Sequence, residues 1–141
     1  MASTFAAATW TQGEQFLTSG TSAHAVLMDS DRDSNQAPGP MEMVLRSLCA
    51  CLATDIVVIL KKTRQTWTSL EVSAEGERAS EPPAVYVRIH LRYRIAGSRV
   101  DRSAAERAVA LSQEKYCSVL AMLRQSAAVT FTLALEEAVA S

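Results

Sequence analysis

A chain of 141 residues suits a single domain, 1–141, and is long enough to bury a core without metals or disulfides. A net charge of −1, with basic residues scattered along the chain, argues against a nucleic-acid surface or attraction to an acidic membrane. The composition, 48% hydrophobic and 21% charged, is that of a globular protein and not of a disordered one.

The first residues, MASTFAAATW, lack a charged leader and a long apolar run, so they are not read as a secretory signal. No 18-residue apolar window is free of charge, and a membrane span is not expected. Three cysteines without a signal suit a reducing compartment, so the expected location is cytoplasmic.

In chain order, residues 5–30 predict two or three short strands, with turns at Gly13 and Gly20 and a strand over HAVLMD. DSDRDSNQAPGP, residues 29–40, is a polar loop. Pro40 opens a helix of about 25 residues ending in Lys61, Lys62 and Arg64, which complement a helix C-terminus. It is apolar on nearly every side, the mark of a central, buried helix. A chain this small would struggle to cover it alone, which argues for a dimer.

SLEVSAEGER alternates in period two, and AVYVRIHLRYRI does so for longer. In the second run Val85, Val87, Ile89, Leu91, Tyr93 and Ile95 face one way, with Tyr86, Arg88, His90, Arg92 and Arg94 on the other. The basic row is expected to be solvated and paired with Glu71, Glu75 and Glu77. Ser103 and Glu106 suggest a capping box for a helix reaching about Lys115. A short helix follows with Cys117 in or near its first turn, and VTFTLALE closes as a strand with Val129, Phe131, Leu133 and Leu135 on one face. Strands and helices are segregated, so the class is α+β.

The cysteines carry the chemistry. Residues two apart on a helix point about 200° apart, so Cys49 and Cys51 cannot clip one metal ion, and no zinc spacing is present; no metal is expected. Cys51 shares its side with Ser47, Thr54 and Asp55, polar groups that need partners if buried. Cys49 keeps the company of Leu45, Leu52 and Ile56, ordinary core neighbours. Asp55, if ionised and unpaired, would raise the pKa of Cys51. Cys117 has two readings: a thiolate favoured by a helix start and by Lys115, or a small apolar residue closing a turn. His24 and His90 are isolated and take no catalytic role; Trp10 and Trp67 are packing or interface residues.

APGPMEMVLRSLCACLATDIVVILKK followed by RAVALSQEKYCSVLAMLR resembles the OsmC/Ohr family of osmotically inducible and organic hydroperoxide resistance proteins, nearest to a small OsmC-like subgroup. The resemblance implies an OsmC-like fold: an intertwined homodimer whose long central helices are wrapped by antiparallel sheets from both chains. It also implies two pockets at the interface. The family's first cysteine lies eleven residues after the helix-opening proline, which here is Cys51, and the second falls on Cys117.

By that resemblance Cys51 is the peroxidatic residue and Cys117 the resolving one, in a thiol-dependent peroxidase (peroxiredoxin-type) cycle of oxidative and osmotic stress defence. A dithiol reductant restores the thiols and no cofactor is needed. The peroxide-reducing members also use an arginine from the N-terminal strands and a glutamate directly after that proline. Here Met41 follows Pro40 and Glu42 comes one place later, and TWTQGEQF has no arginine. Glu42, Asp55, Arg32 and Tyr116 are the accessory candidates around the pocket.

Three functions are weighed. The first is reduction of organic hydroperoxides. The second is a dimer on the same scaffold that binds a small apolar ligand beside Leu48, Val44, Val58 and Tyr116, or responds to redox state. The third is a structural dimer.

Overall fold

The computed structural model describes residues 3–137. Residues 1, 2 and 138–141, at the two ends of the expected domain, lie outside the described residues. The chain divides into two compact units, one up to Val44 and one from Leu45 onward.

The first unit is built on an antiparallel three-stranded meander, β1 (Ala6–Gln12), β2 (Gln15–Gly20) and β3 (Val26–Asp29), paired in that order. The turn between β1 and β2 uses Gly13 at φ +52°, a left-handed conformation that glycine adopts without a Cβ penalty. The meander leaves Phe5, Trp10, Leu17 and Val26 exposed. After β3 the polar loop is ordered around one buried carboxylate. Asp29 accepts hydrogen bonds from the N–H groups of Asp31 and Gln36 and from the hydroxyl of Ser34. These donors, led by the Gln36 N–H, hold its carboxyl below the usual range.

Helix α1 (Pro40–Lys62) starts at the proline, as expected, and stops two residues short of Arg64, which takes φ +58°. From Leu45 onward α1 belongs to the second unit. There Leu48, Leu52, Ile56 and Leu60, spaced four apart, form one fully buried stripe. The helix is therefore not buried all round within one chain; Val58, for example, is 44% exposed. By length and composition alone α1 is long and apolar enough to cross a membrane, although Arg46 and Asp55 keep its apolar run from being free of charge.

The second sheet has the order β4–β5–β6, formed by Ser69–Arg78, Tyr86–Ala96 and Ala128–Glu136. β4 and β5 pair antiparallel, but β6 lies parallel to β5, so the expected all-antiparallel arrangement fails at this edge. A parallel neighbour needs a crossover, and residues 97–127 supply it. Alternation along β5 holds for Ile89, Leu91, Tyr93 and Ile95, all buried. It breaks at the start of the strand: Tyr86 is buried while Val85 is exposed, the reverse of the sequence reading. The cause is a bulge, where Glu77 faces Arg88 but Arg78 faces Tyr86, shifting the side-chain parity by one.

The basic row is solvated and paired as expected. Arg88 makes a two-pronged pair with Glu77, Arg92 meets Glu75, and Arg94 meets Glu136 instead of Glu71. His90 Nδ1 lies 2.7 Å from the Thr130 hydroxyl.

In the crossover, α2 (Arg102–Leu111) is capped by Asp101, without a side-chain bond, and not by Ser103. The expected capping box does not form because Ser103 lies inside the helix; Glu106 pairs with Arg102 across one turn instead. The helix also ends earlier than Lys115. A five-residue π-helical turn, Ser112–Tyr116, separates it from α3 (Ser118–Leu123), which Cys117 caps. Ala105, Ala108, Val109 and Leu120 from these segments join the α1 stripe and the apolar face of β5 in the buried core.

Candidate functional site

Cys51, Asp55 and Cys117 converge: the two sulfurs and a carboxylate oxygen all lie within 4.8 Å of one another. Cys51 and Asp55 are four residues apart on α1 and so share a helix face. Cys117 is delivered by the π turn. Its N–H donates to the Ser112 carbonyl at 2.9 Å, five residues back, in place of the four of an α-helix. All three cysteines are free.

Ser112 is the residue that sequence reading missed. It is fully buried, and its hydroxyl donates to Asp55 Oδ2 at 2.8 Å, with the Leu52 carbonyl 3.5 Å away. One serine thus orients the carboxylate through its side chain and the second thiol through its backbone. The available signal was weak: a serine inside an otherwise apolar run, AVALSQ, beginning a segment read as uninterrupted helix.

The polar streak predicted around Cys51 resolves into one working member. Thr54 turns its hydroxyl back to the Ala50 carbonyl at 2.7 Å, and Ser47 is exposed. Only Asp55 finds a partner across the core. Cys49 lies outside the cluster, half-buried, and burial pushes its thiol up.

Of the two readings of Cys117, the buried apolar residue fits better than the readily formed thiolate. The Leu120 N–H does reach its sulfur, at 3.4 Å, and favours the thiolate. Burial outweighs that bond, and Cys51 and Asp55 oppose the charge further, so the thiol is pushed up to about 11. Lys115 is no counterweight; its ammonium lies over the Tyr116 ring, 5.2 Å from the centroid. Beside the cluster, the Tyr93 hydroxyl accepts from Gln113 Nε2 at 2.8 Å. Burial, then the charges of Cys117 and Cys49, push that phenol up to about 12 against the Gln113 bond.

A groove of about 350 Å³ runs from Asp55 along α1. Val58, Ile59, Leu111 and Tyr116 give it apolar walls, and Lys62 and Arg107 place cations on its rim. Tyr116 is half exposed there. The other accessory candidates belong to the first unit. Arg32 donates its guanidinium to the carbonyls of Asp29 and Ala37 and to the Asn35 side chain, closing its own loop. Glu42 stands exposed in the first turn of α1.

The model of the OsmC-like protein family matches residues 33–132. Protein YhfA of Escherichia coli K12 is 41% identical over 121 residues, covering 86% of this chain and 90% of YhfA. Among solved structures, a hypothetical protein from Aquifex aeolicus VF5 superposes with a TM-score of 0.88 at 29% identity, covering 99% of this chain and 100% of its own. The Legionella pneumophila organic hydroperoxide resistance protein OsmC, described as a predicted redox protein, superposes with a TM-score of 0.70 at 17% identity, covering 95% and 98%.

Proposed function

Because the chain belongs to the OsmC-like protein family, we propose that it is a thiol-dependent peroxidase that reduces organic hydroperoxides. One observation carries the reading: two free thiols, Cys51 and Cys117, lie within 4.8 Å of each other beside an oriented carboxylate. The likeness of fold to a hydroperoxide resistance protein agrees with it.

Cys51, half-buried on α1, is the nucleophile, and Cys117, buried, is the resolving thiol. Cys51 sulfur attacks the outer peroxide oxygen, the O–O bond breaks, and the alcohol leaves with the proton that the thiol gives up. Asp55, held by Ser112, is within reach to relay that proton from the sulfur to the departing oxygen. The products are a sulfenic acid on Cys51 and one alcohol. Cys117 then attacks the sulfenic sulfur, releasing water and forming the disulfide, and a dithiol reductant returns both thiols. The groove beside Asp55 receives the apolar part of the substrate. A homodimer is part of the proposal, since a second copy would cover the outward side of α1, including Val58.

Cumene hydroperoxide added to reduced protein is expected to remove two hydrogens from the mass. Cys117→Ser should instead accumulate a sulfenic acid that dimedone traps, and Cys51→Ser should do neither. An unchanged mass, with Cys51→Ser behaving like the parent, overturns the assignment. The groove also favours a second reading, a binding protein for a small apolar ligand. Co-purified lipid in native mass spectra, together with inert thiols, would select it.

A further inference from the structure

We infer that Cys51, Cys117 and Asp55, with both thiols reduced, form a binding site for a thiophilic divalent cation of the zinc class. The sequence suggests no metal, because the only close cysteine pair, Cys49 and Cys51, points to different faces. The fold creates a different set, two sulfurs and one carboxylate oxygen within 4.8 Å of one another.

Ordinary zinc bond lengths, about 2.3 Å to sulfur and about 2.0 Å to carboxylate oxygen, put tetrahedral ligand atoms roughly 3.5–3.8 Å apart. The cluster would therefore close by at most about 1.0–1.3 Å, within the reach of side-chain torsions. The donor set is thiolate-rich, which selects zinc-like ions over magnesium or calcium.

The support behind the ligands is also of the right kind. The Ser112 hydroxyl holds one oxygen of Asp55 at 2.8 Å, fixing the carboxylate so that its other oxygen can bind the ion. Ser112 also anchors the backbone of Cys117, so both ends of the set hang on one residue. With all three donors ionised, the site carries three negative charges. A dication offsets two of those three charges. Three protein ligands leave the fourth position open to water or a small ligand. A Cys51–Cys117 disulfide would consume both sulfurs, so metal binding and oxidation exclude each other.

The test uses the full chain, reduced and oxygen-free, titrated with Co²⁺ as the visible probe and then with Zn²⁺. One equivalent of Co²⁺ should give a near-ultraviolet thiolate-to-metal charge-transfer band that Zn²⁺ abolishes. Cys51→Ser and Cys117→Ser should each halve that band, and Asp55→Asn should weaken binding roughly tenfold or more. Cys49→Ser should leave the spectrum as it is. In the unmutated protein, Zn²⁺ should shield Cys51, the half-buried thiol of the site, but not Cys49, from N-ethylmaleimide, read by peptide mass. This arm needs no variant to fold and no peroxide turnover, so it stands apart from the peroxidase assay. Absence of the band, a band insensitive to Cys117→Ser, or alkylation of Cys51 unchanged by Zn²⁺ overturns the inference.

Discussion

Cys49 and Cys51 sit two residues apart on one helix and live in different chemical worlds. Cys49 is a half-buried thiol on the second unit's α1 whose main influence is burial, which raises its pKa. Cys51 faces a carboxylate and a second sulfur from a distant part of the chain. The helix turn of about 100° per residue makes the division, and the neighbours at four-residue spacing decide what each face can do. The buried stripe of Leu48, Leu52, Ile56 and Leu60 completes the contrast, serving the core with no polar group of its own.

The largest test of that contrast is a paired substitution. Cys51→Ser should lower peroxide reduction on the order of 10³-fold or more, because a hydroxyl replaces the reacting sulfur. Cys49→Ser should leave the rate unchanged within error in the same coupled assay. Equal losses from both would erase the distinction between the faces.

Next, Leu52→Ala should cost about 3 kcal/mol of stability in urea unfolding, since it empties a fully buried site in the stripe. Ser112→Ala removes the donor to Asp55 and leaves a half-buried carboxylate without its partner. A loss of about 1–2 kcal/mol is expected in the same experiment. Disulfide formation after peroxide addition should also slow, because Asp55 loses the hydroxyl that orients it beside the two thiols.

The smallest effects are those of pH. With the Cys117 thiol at about 11, the resolving nucleophile is protonated at neutral pH. Sulfenic acid decay, followed by stopped-flow after the peroxide step, should therefore accelerate as pH rises toward that value. The same shift bears on stability. The unfolded chain ionises this thiol near 9.0, before the folded protein does, so the folded state's advantage is present below 9.0 and fades as pH rises toward 11. Unfolding midpoints across that interval should fall less steeply in Cys117→Ala than in the parent.

Much of this was legible in the residues. Period-two alternation located β4 and β5, Pro40 placed the helix start, and helix geometry alone separated Cys49 from Cys51. Asp55 was picked out as the polar neighbour of Cys51, and the fold gives it a partner. What sequence could not supply were departures that depend on pairing. The bulge beside Tyr86 reverses the faces at one end of β5 only because β5 holds one extra residue, Val87, against β4 there. The parallel pairing of β6 follows from where the crossover leads, which no local pattern records. Ser112 reads as one more helical residue until Asp55 is set against it, sixty residues away from the Leu52 carbonyl that it also approaches.

The π turn before Cys117 makes the meeting of the two thiols a matter of counting. A π turn holds one residue more than an α-helix would use to cover the same arc. Remove one residue from Ser112–Tyr116 and the ladder can revert to ordinary helix, with every backbone bond still satisfied. Everything beyond would then be rotated by about 100°, and Cys117 would be carried off the line to Cys51. The dithiol is in that sense written as a length, and a single-codon deletion that spares every cysteine would be enough to separate the pair.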